Sequence, residues 1–341
     1  MRSTSIPLKR QIFWTLSGKG GVGKSTVACA ILDALIRAGI DVVLIELDQE
    51  GRLTAMYKGQ LGKYAIHHPI NAEVREDVME SPDLLNKPFD DTRRVAVEAI
   101  RRGAMVVVDM GGTLDMRLAS WLESSATLFE AAGVDVTFVV PMSRELPTWE
   151  AGRASVNRIG NEMTKAKFVF ALTAQTKVNM FAPDDPAVKG LLEEVPGSRA
   201  VPFPLNVSTI TPYVSTQEKP IRPFEVVKMD FAQLQAAAPL AKPLGEDGIL
   251  RGLGDYKRWW VGTEAVLDLK GQIKKEAKAG SIHSGGVIAG TVPSKKMGFA
   301  EVPDLDAPPP KPAAQPNEVI SPSLVQSTQS QASRLARPGA A

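Results

Sequence analysis

The sequence predicts a doubly wound α/β fold with a mostly parallel sheet, and three observations support this prediction. Short apolar runs recur along the first 203 residues without alternating polar residues, as expected for strands covered on both faces. Segments with helical periodicity separate these runs, which favours repeated strand–helix units. A glycine-rich loop joins the first apolar run to the first helical segment, at the edge where such sheets bind ligands.

The predicted strands are rich in Val, Ile and Phe, and the predicted helices lie between them. The strands cover Ile12–Leu16, Val42–Leu47, Ala104–Asp109, Val134–Val140, Lys167–Leu172 and Arg199–Phe203. The helices cover Ser25–Ala38, Asp91–Arg102, Asp115–Ala132, Pro147–Met163 and Asp185–Glu194. Two further segments, Pro223–Ala237 and Asp255–Ala279, are predicted to be helical, and the second is amphipathic and basic.

Composition limits the class of protein. A chain of 341 residues with 44% hydrophobic residues can form one large domain, which we predict over residues 1–279. Residues 280–341 are rich in Gly, Ser, Pro and Gln without periodicity, which predicts a disordered tail.

The net charge of +2 indicates no general attraction for DNA, so a DNA contact would need a local basic patch. The single cysteine excludes a disulfide within the chain, and no apolar stretch has the length of a signal peptide or membrane span. A cytoplasmic protein is expected.

The loop from Gly18 to Ser25 fits the pattern G-x-x-x-x-G-K-[ST] in full. Its glycines allow backbone N–H groups to turn towards phosphate oxygens, and the N-terminus of the following helix adds a positive potential. In this pattern Lys24 reaches the β- and γ-phosphates, and the Ser25 hydroxyl ligates Mg²⁺. The fold is therefore expected to be of the P-loop NTPase type.

A second motif follows the third predicted strand. Asp109 comes after four apolar residues, the position from which a Walker B carboxylate holds Mg²⁺ through water. Gly111 and Gly112 follow it, and we expect them to form a switch that senses the γ-phosphate by backbone movement.

The early lysine of the loop, in Lys19-Gly-Gly-Val-Gly-Lys-Ser25, resembles the deviant Walker A motif of the ParA/MinD family of P-loop ATPases. The resemblance covers residues 11 to about 240. It implies that ATP and Mg²⁺ bind, that two subunits meet face to face around ATP, and that Lys19 contacts phosphates across this homodimer interface. The binding residues that it implies are Gly18, Lys19, Gly20, Gly21, Val22, Gly23, Lys24, Ser25, Thr26 and Gly112.

The end of the second strand also resembles this family, which has two aspartates there. Asp48 matches the second aspartate, which implies a place near the γ-phosphate and the attacking water, and Glu46 stands in the place of the first. The usual following proline is replaced by Gln49, and a helix-capping role for Asp48 is the alternative. Catalytic roles are expected for Lys19, Lys24 and Asp48, and magnesium ligation for Ser25, Asp48 and Asp109.

Together these features predict a slowly hydrolysing ATPase that acts as a dimerisation switch and is read by a protein partner. The segment from Glu46 to Gln49 is similar to ParA-like proteins of plasmid conjugation and stability regions, which implies a role in plasmid partition, stability or mobilisation. The alternative is a P-loop ligase of the dethiobiotin synthetase or cobyrinate amidase type that acts on a small molecule. A nucleotide-bound scaffold with negligible hydrolysis also fits the departures around Asp48.

Three other features of the sequence lie outside these motifs. His67 and His68 have no accompanying Cys/His set, so a metal site is not expected there. Trp259 and Trp260 are interpreted as part of a helix that docks on the sheet, with a membrane-surface or DNA contact as the alternative. The polar segment Arg52–Phe89 is predicted to be an insert near the nucleotide face.

Overall fold

The computed structural model describes residues 11–70, 82–112, 114–174, 180–182, 184–204, 206–215 and 220–267. Within these residues the chain forms one seven-stranded sheet in which every neighbouring pair of strands is parallel. The predicted tail and residues 268–279 of the last predicted helix lie outside the described residues. The doubly wound parallel sheet is as predicted.

The strands are β1 (Gln11–Thr15), β2 (Val42–Asp48), β3 (Ala65–Pro69), β4 (Met105–Met110), β5 (Asp135–Met142), β6 (Lys167–Leu172) and β7 (Arg199–Pro202). Their order across the sheet is β3-β2-β4-β1-β5-β6-β7. The six predicted strands are present with small shifts at their ends. The strand β3 was not predicted, because it lies within the polar segment that the sequence analysis treated as an insert.

The helices on the two faces of the sheet are α1 (Lys24–Arg37), α2 (Arg52–Leu61), α3 (Pro82–Arg101), α4 (Asp115–Ala131), α5 (Leu146–Glu162) and α6 (Pro186–Glu194). The C-terminal helices are α7 (Thr211–Ser215), α8 (Pro223–Lys228), α9 (Phe231–Ala237) and α10 (Gly245–Leu267).

Three helix boundaries differ from the prediction. The helix α3 begins at Pro82 rather than Asp91, since Pro88 in its first turns breaks the sequence pattern but not the helix. The predicted helix over residues 223–237 is broken, because the side chain of Asp230 accepts a hydrogen bond from the backbone N–H of Gln233 and starts α9 afresh. The last helix begins at Gly245 rather than Asp255.

The core has one layer on each side of the sheet, and successive residues of β1 face the two layers in turn. Phe13 faces the layer that contains α1 and the C-terminal helices, whereas Ile12 and Trp14 face the other layer. Trp260 is fully buried in the first layer and Trp259 is 8% exposed, which confirms their interpretation as core residues. No helix in the described ranges has the length and apolar character needed to cross a membrane.

The order of strands determines where a ligand can bind. The chain leaves β1 towards β2 and β3, returns to β4, and continues on the other side of β1 through β5. The crossovers on the two sides of β1 therefore diverge at its carboxyl end, which opens a crevice there. The glycine loop follows β1 directly and lies at this crevice.

A buried polar cluster connects α1 to the C-terminal helices. The carboxylate of Asp33 accepts hydrogen bonds from the Tyr57 hydroxyl (2.7 Å) and from the backbone N–H of Phe224 (3.2 Å). Burial raises the pKa of Asp33 to about 6, and the Tyr57 hydrogen bond and the charge of Arg222 only partly oppose this rise. The cluster thus holds a carboxyl group whose neutral form is favoured by folding.

This cluster predicts a pH dependence of stability. Because the folded-state pKa of Asp33 is about 6 and its ordinary value is 3.8, its contribution to stability is present below pH 4 and is lost as the pH rises through 6. Replacing Asp33 with Asn removes the ionisable group. We expect the free energy of unfolding of Asp33→Asn, relative to the wild type, to rise by up to about 3 kcal/mol between pH 4 and pH 7. Denaturant titrations of both proteins across this range check it, and a constant difference would contradict it.

Candidate nucleotide-binding site

The loop after β1 has the backbone geometry of a phosphate cradle. Gly21 and Gly23 have φ angles of 74° and 97°, a conformation that favours glycine, and Gly23 is the N-cap of α1. A Cβ atom added to Gly20 or Gly21 would meet nothing within 4 Å, so the loop is not packed against other residues at these two positions. The loop and the first turn of α1 hold the predicted residues Gly18, Lys19, Gly20, Gly21, Val22, Gly23, Lys24, Ser25 and Thr26.

Lys24 begins α1 and is only 7% exposed. Its Nζ donates a hydrogen bond to the Lys19 carbonyl oxygen at 2.9 Å, so the side chain lies across the loop. Burial lowers the pKa of Lys24. The negative charges of Asp109, Asp48 and Asp115 raise this pKa, so three carboxylates act on one ammonium group.

Asp109 lies at the end of β4, next to β1 in the sheet, and is buried. Its Oδ1 accepts a hydrogen bond from the Thr15 hydroxyl at 2.6 Å, and its carboxylate is also hydrogen-bonded to the Ser25 side chain. Burial raises the pKa of Asp109 to about 6, against the opposing effect of these hydroxyl groups. The structure therefore brings together Ser25 and Asp109, the two side chains predicted from the sequence motifs to share a magnesium ion.

Asp48 and Glu46 lie at the end of β2 and accept hydrogen bonds from different segments. Both carboxylate oxygens of Glu46 accept hydrogen bonds from the first turn of α2, from the backbone N–H groups of Leu53 (2.9 Å) and Thr54 (2.6 Å). The helix-capping role considered for Asp48 thus belongs to Glu46. The carboxylate of Asp48 is half-buried and close to Gly111, and its Oδ1 accepts a hydrogen bond from the Glu50 N–H at 3.3 Å.

The glycine pair after β4 touches both the second strand and the loop. The Gly111 N–H donates a hydrogen bond to the Leu47 carbonyl at 2.7 Å. A Cβ atom on Gly112 would lie 3.2 Å from the backbone nitrogen of Gly20, so the two backbones are in contact. Gly112 therefore lies against the glycine loop that follows β1.

Lys19 differs from Lys24 in its direction. Its side chain is 41% exposed and extends outward to the start of α5, where Nζ lies 3.4 Å from the Thr148 hydroxyl and 3.8 Å from Glu145 Oε2. One loop thus carries a buried lysine and a partly exposed lysine.

The sequence analysis missed a hydrogen-bond network that supports the start of the loop. The Gly18 N–H donates to Ser155 Oγ at 3.1 Å, and that hydroxyl donates to Asp115 Oδ2 at 2.8 Å. Arg158 Nη1 pairs with the same oxygen at 2.9 Å. Asp115 and Ser155 lie on different helices, so no local motif could have revealed the network.

Among the residues that the structure describes, no three His, Cys, Asp or Glu side chains form a group that could hold a metal ion. The hydroxyl of Ser25 and the carboxylates of Asp48 and Asp109 suit Mg²⁺, which prefers oxygen ligands and usually takes only one or two carboxylates together with phosphate oxygens and water. The residues present therefore fit a magnesium–nucleotide complex.

A glycine loop between a central parallel strand and a helix, with a buried lysine and a paired hydroxyl and carboxylate, defines a P-loop nucleotide-binding protein. The family described as the CobQ/CobB/MinD/ParA nucleotide binding domain matches residues 13–184. The chain belongs to this family.

Solved structures with a related fold include a plasmid partition protein from Borrelia burgdorferi (18% identity, 57% of this chain and 89% of that chain, TM-score 0.33). The MinC:MinD cell division protein complex of Aquifex aeolicus matches with 16% identity over 72% of this chain and 96% of that chain (TM-score 0.35). Cobyrinic acid a,c-diamide synthase from Mycobacterium smegmatis, with a bound ATP analog and magnesium, matches with 15% identity over 62% and 98% (TM-score 0.34). These scores are too low to add to the family match. No curated protein matches the chain significantly.

The contact between Gly112 and the loop can be tested directly. In Gly112→Ala the new methyl group would press on the Gly20 backbone, so we expect the affinity for ATP to fall about fivefold or more. Gly190→Ala is the matched control, because a Cβ atom there meets nothing within 4 Å. Isothermal titration calorimetry with ATP and Mg²⁺ measures both, and equal affinities would contradict the prediction.

Proposed function

We propose that this protein is an ATPase that binds ATP with Mg²⁺, dimerises around it and hydrolyses it slowly, so that the bound nucleotide sets the state of a switch. The observation that carries this proposal is the different position of the two loop lysines. Lys24 is buried over the cradle, whereas the Lys19 side chain extends to the rim of the site, where a second subunit could present phosphates to it.

Each site residue has a role that follows from its position. Lys24 would leave the Lys19 carbonyl to pair with phosphate oxygens, and backbone N–H groups of the loop would bind the same group. Ser25 and Asp109 would hold Mg²⁺, which offsets phosphate charge when bound. Asp48, half-buried beside the sensing glycines, would orient the attacking water and contact the ion.

The same rim carries exposed apolar side chains. Met116, in the first turn of α4, is 63% exposed and follows Asp115, which lies against Gly18. Leu146, at the start of α5, is 65% exposed and follows Glu145, which lies beside Lys19. Exposed apolar side chains on both sides of the glycine loop support the proposal that a second copy of the chain covers this face.

For the cellular role we propose plasmid partition, stability or mobilisation, with a protein partner that reads the switch. The support is the resemblance of the segment from Glu46 to Gln49 to ParA-like proteins of plasmid regions. A small-molecule ligase of the cobyrinate amidase type is the competing activity, and it would need no ATP-dependent dimer.

Separate substitutions of the two lysines test the proposal. We expect Lys24→Ala to lose ATP binding, because it removes the buried ammonium group from the cradle. We expect Lys19→Ala to keep ATP affinity within about threefold but to lose ATP-dependent dimerisation. Light scattering after size exclusion, with ADP or with ATP and Mg²⁺, measures the dimer, and an Asp48→Ala background slows hydrolysis during the run.

Lys58→Ala is the control for loss of one exposed charge, since Lys58 lies on the solvent side of α2. A dimer that survives both loop substitutions would refute the ATP-bridged arrangement. ATP binding without any dimer in the wild type would favour the ligase.

The apolar rim gives an independent prediction. We expect Met116→Asp and Leu146→Asp to weaken the ATP-dependent dimer about tenfold or more, because each would place a charge within the covered face, and to leave ATP affinity unchanged. Leu240→Asp is the matched control, since Leu240 is 66% exposed and lies in the connection between α9 and α10. Sedimentation equilibrium with ATP and Mg²⁺ measures the dimer affinity, and an equal effect of all three changes would speak against this face.

A further inference from the structure

The loop that carries Asp48 is held at both of its ends. On the side of β4, the Gly111 N–H donates to the Leu47 carbonyl at 2.7 Å. At the other end, the first turn of α2 is tied to Glu46 through two backbone N–H groups. Between these anchors, Gln49 and Glu50 are exposed, and Gly51 is buried with a φ angle of 64°.

His67 on β3 provides a third anchor. The register of the parallel pair places His67 beside Glu46, and its Nε2 lies 2.7 Å from the Asp48 carbonyl oxygen. Because a carbonyl oxygen only accepts hydrogen bonds, Nε2 must carry a hydrogen and act as the donor. The same carbonyl also accepts the Ile70 N–H at the longer distance of 3.3 Å.

The ring of His67 also fills the space beneath Gly51. A Cβ atom on Gly51 would lie 2.6 Å from His67 Nδ1 and 2.7 Å from its Cε1, far inside van der Waals contact. The imidazole therefore fixes the loop in two ways, by a hydrogen bond to its first carbonyl and by close packing against its last residue. His68, the next residue on β3, faces the charges of Asp91 and Arg94 on α3 instead.

We infer that His67 is a positioning residue for hydrolysis, which acts through the backbone of Asp48 and holds this carboxylate at the nucleotide site. The inference rests on the proposed function, in which Asp48 orients the attacking water. An orienting group is sensitive to small displacements, since a shift of about 1 Å can lower a rate about 100-fold. His67 itself is separated from the cradle by the strands β2 and β4, so its effect must pass through the loop.

A set of substitutions at one position tests this inference. His67→Gln keeps an N–H donor that reaches the place of Nε2, His67→Asn has a shorter side chain whose N–H corresponds to Nδ1, and His67→Ala has none. We expect kcat to fall about tenfold or more in the Ala and Asn variants and to stay within about threefold of the wild type in the Gln variant, with ATP affinity unchanged in all three. His68→Gln is the control and should keep the wild-type kcat.

A second readout does not depend on turnover. Endoproteinase Glu-C cleaves after glutamate, and Glu50 lies in the exposed part of the anchored loop. We expect His67→Ala and His67→Asn to be cleaved after Glu50 faster than the wild type and His67→Gln, as followed by mass spectrometry of the fragment that ends at Glu50.

The outcomes separate the two proposals. Equal loss of kcat in the Gln, Asn and Ala variants, or an additive loss when His67→Ala is combined with Asp48→Ala, would overturn the positioning role. A wild type that binds no ATP would overturn the proposed function and, with it, the catalytic part of this inference. In that case, faster cleavage after Glu50 in His67→Ala, together with the wild-type cleavage rate in His67→Gln, would still establish His67 as the anchor of the loop.

Discussion

The buried ammonium group of Lys24 is the constraint on which the rest of the site depends. A lysine that is 7% exposed loses hydration, which lowers its pKa, and nearby negative charges act against this lowering. The strand order supplies that charge, because the carboxyl ends of β2 and β4 meet beside β1 and bring Asp48 and Asp109 to the same edge. Asp109 has the converse problem, since burial raises its pKa to about 6. The sheet therefore holds together charges that would each be unfavourable alone, and such groups are suited to a charged ligand.

The supports of this charged group come from distant parts of the chain. Ser155 and Asp115, on two different helices, carry the first amide of the loop, and Gly112 packs on its middle. On the opposite face of the sheet, Asp33 ties α1 to α2 through the Tyr57 hydroxyl and to α8 through the backbone of Phe224. The helix α1, which begins with Lys24, is thus packed between the sheet and the C-terminal helices, so a change in either can reach the site.

Local sequence signals predicted the parts of the structure that depend on local physics. Six strands, the loop and the pairing of Ser25 with Asp109 follow from apolar runs and from one glycine motif. The strand β3 could not be predicted, because His67 and His68 make it polar. It also lies at the edge of the sheet and is only partly buried, so its residues need not be apolar. The break at Asp230 was not predicted, because the apolar periodicity runs through it. The capping box that Asp230 forms with Gln233 nevertheless starts a new helix there.

The place of Glu46 connects the end of β2 to α2. A glutamate is one methylene longer than an aspartate, and its carboxylate reaches the amides of Leu53 and Thr54 in the first turn of α2. Both carboxylate oxygens are engaged there, so two hydrogen bonds join the strand end to the helix. The Gly111–Leu47 hydrogen bond joins the same strand to the glycine pair after β4. A displacement of this glycine pair would therefore pass through the Leu47 carbonyl to the strand end that carries Asp48 and, through Glu46, to α2.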